Sequence, residues 1–323
     1  MPTRRQTLAT YGVRRPELRL SVGASPSFDA YCVVDWSAAS VPRIGADSVW
    51  WALLRWADPE PLLDTGNCPT RLSLAKELTA RLRGPLAGRR VLVGFDFPFG
   101  YPHGFAAALG HRGPPEKAWS AVWRMLREAA RDDAENANNR FEVAAMLNSQ
   151  VSGGFGPFFG RPNSVPPHVA AHLSPRQQGS FEFPLRARGG ATLQRTRLAD
   201  RCGRTASTPW FVFGGSNSVG GQALVGIPHV ARLREALPDA RVWPFETGAR
   251  LPPPRDARIV LAEVYPSLFH ARQRGVEVHD RRQVISTALA FARLDADGLL
   301  ESSFAAPRTD AVLHEEGWIL GVP

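Results

Sequence analysis

Three apolar runs, each closing on a carboxylate, stand out along the chain: Tyr31-Cys32-Val33-Val34-Asp35, Val91-Leu92-Val93-Gly94-Phe95-Asp96 and Ile259-Val260-Leu261-Ala262-Glu263. Short continuous runs of β-branched, aliphatic and aromatic residues predict strands buried on both faces. A carboxylate at the end of such a strand is costly unless positive charge faces it. Between the first two runs, residues 48–56 predict a second strand, and Pro61-Leu62-Leu63-Asp64 opens a third after the Asp58-Pro59 turn. Leu72, Leu74, Leu78 and Leu82, with Ala75 and Ala80, recur at helical spacing and stop at Gly84-Pro85. The order is strand, strand, strand, helix, strand, with acids at the ends of the first and fourth strands.

The later part of the chain has a weaker pattern. Helical spacing returns around residues 118–130, and then from about Asp280 through Val284, Ile285, Ala288, Leu289 and Phe291. Asp280 stands at the start of that last helix, where N-capping and participation in the acid set are both open readings. Two glycine-rich aromatic stretches, residues 151–162 and 213–221, read as loops able to approach a ligand closely. Glu315 to Pro323 reads as an edge segment packed back on the core. The expected organisation is a basic, mobile arm over residues 1–27, a core of residues 28–102 and 255–323, and a cap lobe of residues 103–254 between the fourth and fifth strands.

Composition narrows the class. A chain of 323 residues with 44% hydrophobic and 21% charged content is expected to bury a sizeable core. No apolar stretch approaches the roughly 20 residues that cross a bilayer, and the charged start is unlike a signal peptide, so a cytoplasmic protein without membrane association is expected. Cys32, Cys68 and Cys202 are odd in number and far apart, which supports neither a disulfide framework nor a zinc site. The formal charge of +9 attracts polyanions. All but two of the 39 basic residues are arginine, the exceptions being Lys76 and Lys117. That bias follows from genome base composition or from phosphate recognition, for which the guanidinium fork is well shaped.

The chemistry rests on the acids. Strand ends from distant parts of a chain can meet in one sheet and share a cation, and oxygen-only ligation favours magnesium or manganese. Taken singly, each aspartate would more simply cap a loop through backbone N–H groups. Taken together, Asp35, Asp96, Glu263 and Asp280 are the expected catalytic and metal-binding set, and Ser37, Arg140, Arg161 and Ser216 the expected substrate contacts. Other patterns carry less: His168 and His172 have zinc-helix spacing without the glutamate, and residues 214–222 lack the lysine of a phosphate loop.

In Val34-Asp35-Trp36, Phe95-Asp96-Phe97-Pro98-Phe99-Gly100, Glu263-Val264-Tyr265-Pro266 and the closing Gly317-Trp318-Ile319, the chain resembles the domain of unknown function 429 family, predicted nucleases of the ribonuclease H-like superfamily. The resemblance spans roughly residues 30–323. It implies an α/β fold with a ribonuclease H-like mixed sheet flanked by helices, and a large insertion lobe between strands four and five. It also implies Asp35, Asp96 and Glu263 as metal ligands of a Mg2+- or Mn2+-dependent phosphodiester hydrolase acting on nucleic acid or a small phosphate ester. The family's acid in the last helix aligns with Asp280, completing four carboxylates, or with Gln283, losing one. The alternatives are a non-catalytic nucleic-acid or nucleotide-binding protein of the same fold, and an actin-like or sugar-kinase-like phosphotransferase.

Overall fold

The apolar runs become strands at the positions their pattern predicts. The computed structural model describes residues 6–7, 25–57, 61–203, 207–215, 217–249, 256–269 and 278–323. The chain divides into two compact units, one of Met1–Asp96, Ala134–Asn136 and Ala236–Ala305, the other of Phe97–Asp133, Ala137–Glu235 and Ala306–Pro323.

The first unit is a mixed sheet flanked by helices. Its strands are β1 (Gln6–Thr7), β2 (Ala30–Asp35), β3 (Val49–Arg55), β4 (Leu62–Cys68), β5 (Val91–Phe95), β6 (Ala240–Val242) and β7 (Ile259–Glu263), with α1 (Arg71–Arg83) and α2 (His279–Ala296) as its long helices. Six strands run in the order β4-β3-β2-β5-β7-β6, and the two-residue β1 extends the β4 edge. β3 runs antiparallel to both of its neighbours, β4 and β2, whereas β2, β5, β7 and β6 are parallel. Every residue of β2, β5 and β7 is buried, which is why these strands read as unbroken apolar runs. α1 starts at Thr70, whose side chain accepts from the Ser73 N–H, and ends at Gly84.

Strand register assigns each helix a face. Val34 pairs with Trp51, and the guanidinium of Arg81 on α1 lies 4.2 Å from the Trp51 ring, so α1 covers the Val34 side. Tyr31, like Asp35, points the other way. Its hydroxyl donates a 2.5 Å hydrogen bond to Asp295 on α2, which packs across β2 and β3. Asp295 also accepts the N–H groups of Ser27 and Phe28, at 2.8 and 3.0 Å, fastening the start of β2 to the end of α2.

The second unit contains the helices Ala118–Ala129, Arg140–Val151 and Val219–Ala236, the last of which runs up to the boundary, and a two-stranded hairpin. Its chain ends are tied by two buried glutamates. Glu315 accepts the N–H groups of Gly104 and Ala106, at 2.9 and 2.6 Å, and Glu316 those of His103 and Leu198, at 2.9 and 2.8 Å. Gly100 runs so close beneath them that a Cβ there would collide with the Glu315 and Glu316 carbonyl oxygens. Tyr101, Phe105, Phe158 and Trp210 pack ring against ring as the aromatic centre of this unit.

Several boundaries differ from the sequence reading. Ala240–Val242, expected in the cap lobe, is a strand of the sheet, because three residues are too few to show a periodicity. The segment after Ala305, expected as an edge of the core, belongs to the second unit, where Trp318, Ile319, Leu320 and Val322 are buried. The helix Val219–Ala236 begins inside a stretch expected to be loop. It is buried on nearly every side and contains Pro228, so no polar stripe marks it. Of the arm expected over residues 1–27, Gln6–Thr7 pairs with Leu62 and Leu63, residues 25–27 are described, and the remainder lies outside the described residues.

Candidate active site

The carboxyl ends of β2 and β5 lie side by side because the two strands pair in parallel up to Val34 and Phe95. The next residue on each strand is an aspartate, so Asp35 and Asp96 are neighbours on adjacent strand ends. Their carboxyl groups are close enough that each perturbs the ionisation of the other. The backbone N–H of Trp36 donates a further 2.7 Å bond to Asp96 Oδ1.

Burial is the first cause of the electrostatics here. It pushes the Asp35 carboxyl well above the ordinary carboxylate range, and the charges of Asp96, Asp280 and Asp47 push it in the same direction. Burial also raises Asp96, to about 7, against the opposing bonds from Trp36 and Asp35. A buried acid and a half-buried one this close cannot both ionise cheaply without a cation.

Asp280 joins them from α2, which covers the same face. It lies in the first turn but does not cap its own helix: Oδ2 instead accepts a 2.8 Å bond from the backbone N–H of Asp47. Asp47, absent from the sequence reading, stands at the end of the loop after β2 with φ of 54°, a left-handed conformation that aspartate tolerates. Only the turn-like Gly45-Ala46-Asp47-Ser48 ahead of a strand signals it in the sequence.

Glu263 does not join this group. It pairs with Phe95, which pairs with Val34, so its side chain leaves the sheet on the α1 face, opposite Asp35 and Asp280. It is 3% exposed, a buried acid of the same sheet but of the other layer. The expectation of a ligand set including Glu263 is corrected by this one-residue parity.

Of the expected substrate contacts, Ser37 belongs to the first unit. β2 ends at Asp35, so Ser37 is a loop residue, and its hydroxyl donates to the Asp47 carbonyl and accepts from Ala39 N–H. Arg140 and Arg161 belong to the second unit. Arg140 is buried, bonded to Asn138 Oδ1 and stacked on Phe141, while Arg161 donates to the carbonyls of Leu173, Pro162 and Asn163. Ser216 lies outside the described residues.

Among the described residues no group of three or more His, Cys, Asp or Glu side chains stands in metal-holding geometry. The compact element is the Asp35–Asp96 pair, on which Asp280 and Asp47 act electrostatically. Two neighbouring carboxylates are the donor type that magnesium or manganese takes, since these ions bind one or two carboxylates and keep several waters. No helix among the described residues is long and apolar enough to cross a membrane. Comparison with protein-family models, curated proteins and solved structures yields no match.

Proposed function

We propose that the first unit is the catalytic core of a divalent-metal-dependent phosphoester hydrolase, a nuclease or a related phosphoesterase, on a ribonuclease H-like sheet of the kind carried by the domain of unknown function 429 family. Three antiparallel strands followed by parallel β5 and β7, with acids at the carboxyl ends, support the fold reading. The observation that carries the functional reading is the adjacency of Asp35 and Asp96 at the ends of two paired parallel strands, with the charges of Asp280 and Asp47 acting on Asp35. Main-chain N–H groups reach Asp96 and Asp280, yet burial and the charges of Asp96, Asp280 and Asp47 still hold the Asp35 carboxyl well above the ordinary carboxylate range.

Asp35 and Asp96 would hold the ion, with Asp280 contributing negative charge beside them. When bound, magnesium or manganese supplies Lewis acidity and lowers the pKa of water. The chain's own groups do the rest. Trp36 N–H fixes the orientation of Asp96. Asp280, one oxygen of which is engaged by Asp47, would be the base that accepts a proton from the attacking water. As the water oxygen bonds to phosphorus the ester P–O bond breaks, and the departing oxygen is protonated from solvent.

The test is hydrolysis of a fluorogenic phosphodiester by purified protein with Mg2+ or Mn2+, against the same protein in EDTA. Turnover that requires the ion and disappears in Asp35→Asn is expected. Absence of cleavage with either ion, or ATP-dependent phosphorylation of a small acceptor in its place, would sink the reading.

A further inference from the structure

The loop from Ser37 to Asp47 leaves the acid pair and returns to it. Ser37 is two residues beyond Asp35, and Asp47 N–H is bonded to Asp280. Its main chain is clamped along its length. Arg71, fully buried on α1, donates to the carbonyls of Ser37 and Ala39 at 2.8 and 2.7 Å. Asn136 Nδ2 reaches the Val41 carbonyl at 3.3 Å, and Arg43 N–H donates to Pro69 at 3.0 Å. Gly45 N–H donates to Asn67 Oδ1, while the Gly45 carbonyl accepts from both Ser48 Oγ and Trp50 Nε1, each of these bonds being 2.7 Å.

A loop held this tightly fixes where its side chains point. It nevertheless leaves Val41 53% and Ile44 66% exposed, with Pro42 and Arg43 between them also exposed. Aliphatic side chains held out on a clamped loop beside a polar centre are open to a ligand that reaches the loop. Ile44 is three residues from Asp47, which limits the Cα separation to about 11 Å. A strand that extends past the acid pair by a nucleotide or two can therefore reach it.

We propose that Val41 and Ile44 form an apolar platform for an unpaired nucleobase of the strand whose phosphodiester lies at Asp35 and Asp96, with Arg43 meeting an adjacent phosphate. The inference rests on the hydrolase reading and adds substrate class and contact residues to it. Two aliphatic side chains are too few for a protein interface, but they match one face of a base. Aliphatic and proline residues flanking an arginine are the residue types that wedge against bases while a cation holds the backbone. The surplus of positive charge on the chain complements such a strand.

The test is binding in EDTA, where hydrolysis is silent. Fluorescence anisotropy would compare a labelled oligothymidylate of about 12 nucleotides with an abasic strand of equal length, so that both carry the same phosphates. The wild-type protein is expected to bind the base-bearing strand about tenfold more tightly, and Val41→Ser/Ile44→Ser to bring the ratio near one with abasic affinity unchanged. Ile44→Ala is a milder second variant, expected to remove about a third of that preference. A ratio near one in the wild-type protein, or an unaltered ratio in the double variant, overturns the proposal. The hydrolase reading fails separately, through absent cleavage in Mg2+ and Mn2+ while this ratio persists.

Discussion

The backbone N–H of Trp36 donates a 2.7 Å hydrogen bond to Asp96 Oδ1, so the residue that follows one acid orients the other. Trp36 is itself 2% exposed and packs edge-on against Phe95, the residue before Asp96. Each strand end thus braces its neighbour. The pair is positioned by the sheet rather than by loop sequence, and this makes its chemistry sensitive to small changes.

The two faces of the sheet separate the acids experimentally. Asp35→Asn and Asp96→Asn are each expected to lower metal-dependent hydrolysis by about a hundredfold or more, with the far-ultraviolet circular dichroism spectrum unchanged. Glu263→Gln, on the α1 face, is expected to stay within about threefold of the parent rate. Equal losses in all three variants would mean that Glu263 reaches the same centre.

Stability should fall as pH rises in the absence of divalent ions. The unfolded carboxyls titrate near 3.9, whereas Asp35 is held well above that value and Asp96 at about 7. Over that interval the folded protein binds more protons than the unfolded one, so the unfolding free energy drops from about pH 4 to about pH 7. Urea midpoints at several pH values in EDTA measure it. Asp35→Asn should flatten the slope, and added Mg2+ should oppose it.

Asp295 anchors β2 to α2 through two main-chain N–H groups and the Tyr31 hydroxyl. Asp295→Ala leaves buried donors without their acceptor and is expected to cost about 3–5 kcal/mol, against about 1–2 kcal/mol for Tyr31→Phe. Chemical denaturation followed by tryptophan fluorescence would show the difference. Similar losses for the two would locate the anchor in the phenol alone.

Arg71 is the main clamp on the loop that carries Val41 and Ile44. Arg71→Lys keeps the charge but cannot span both carbonyls in the same fork. Amide hydrogen exchange over residues 37–47 should accelerate about tenfold or more, while the strands keep their protection. Unchanged exchange there would assign the rigidity to Asn67 and Asn136.

Gly100 tests the second unit alone. Gly100→Ala drives a Cβ into the carbonyl oxygens of Glu315 and Glu316 and is expected to destabilise that unit by about 3 kcal/mol or more. Limited proteolysis should then cut between Phe97 and Glu235 before it cuts the sheet.

Local pattern sufficed for much of the first unit. Unbroken apolar runs mark β2, β5 and β7 because these strands are buried on both faces, and leucines at helical spacing with Thr70 before and Gly84 after mark α1. The same runs place an acid at the end of each central strand, so Asp35 and Asp96 were legible as neighbours once the strands were taken to pair. Asp280 was legible as an acid in the first turn of a helix, though not whether it capped that helix.

Only the tertiary structure decided which acids meet. Side chains alternate along a strand, so Glu263 goes to the α1 face by a single residue of register between β5 and β7, a quantity that no run of residues encodes locally. Asp47 enters through a loop closed by Arg71, Asn136 and Asn67, whose roles depend on partners far away in the chain. The three-residue β6 exists because β7 offers it an edge, and the final segment joined the second unit because its buried glutamates found N–H groups at Gly104, Ala106 and Leu198. Burial and periodicity are properties of neighbours in sequence; register, charge convergence and hydrogen-bond closure are properties of neighbours in space.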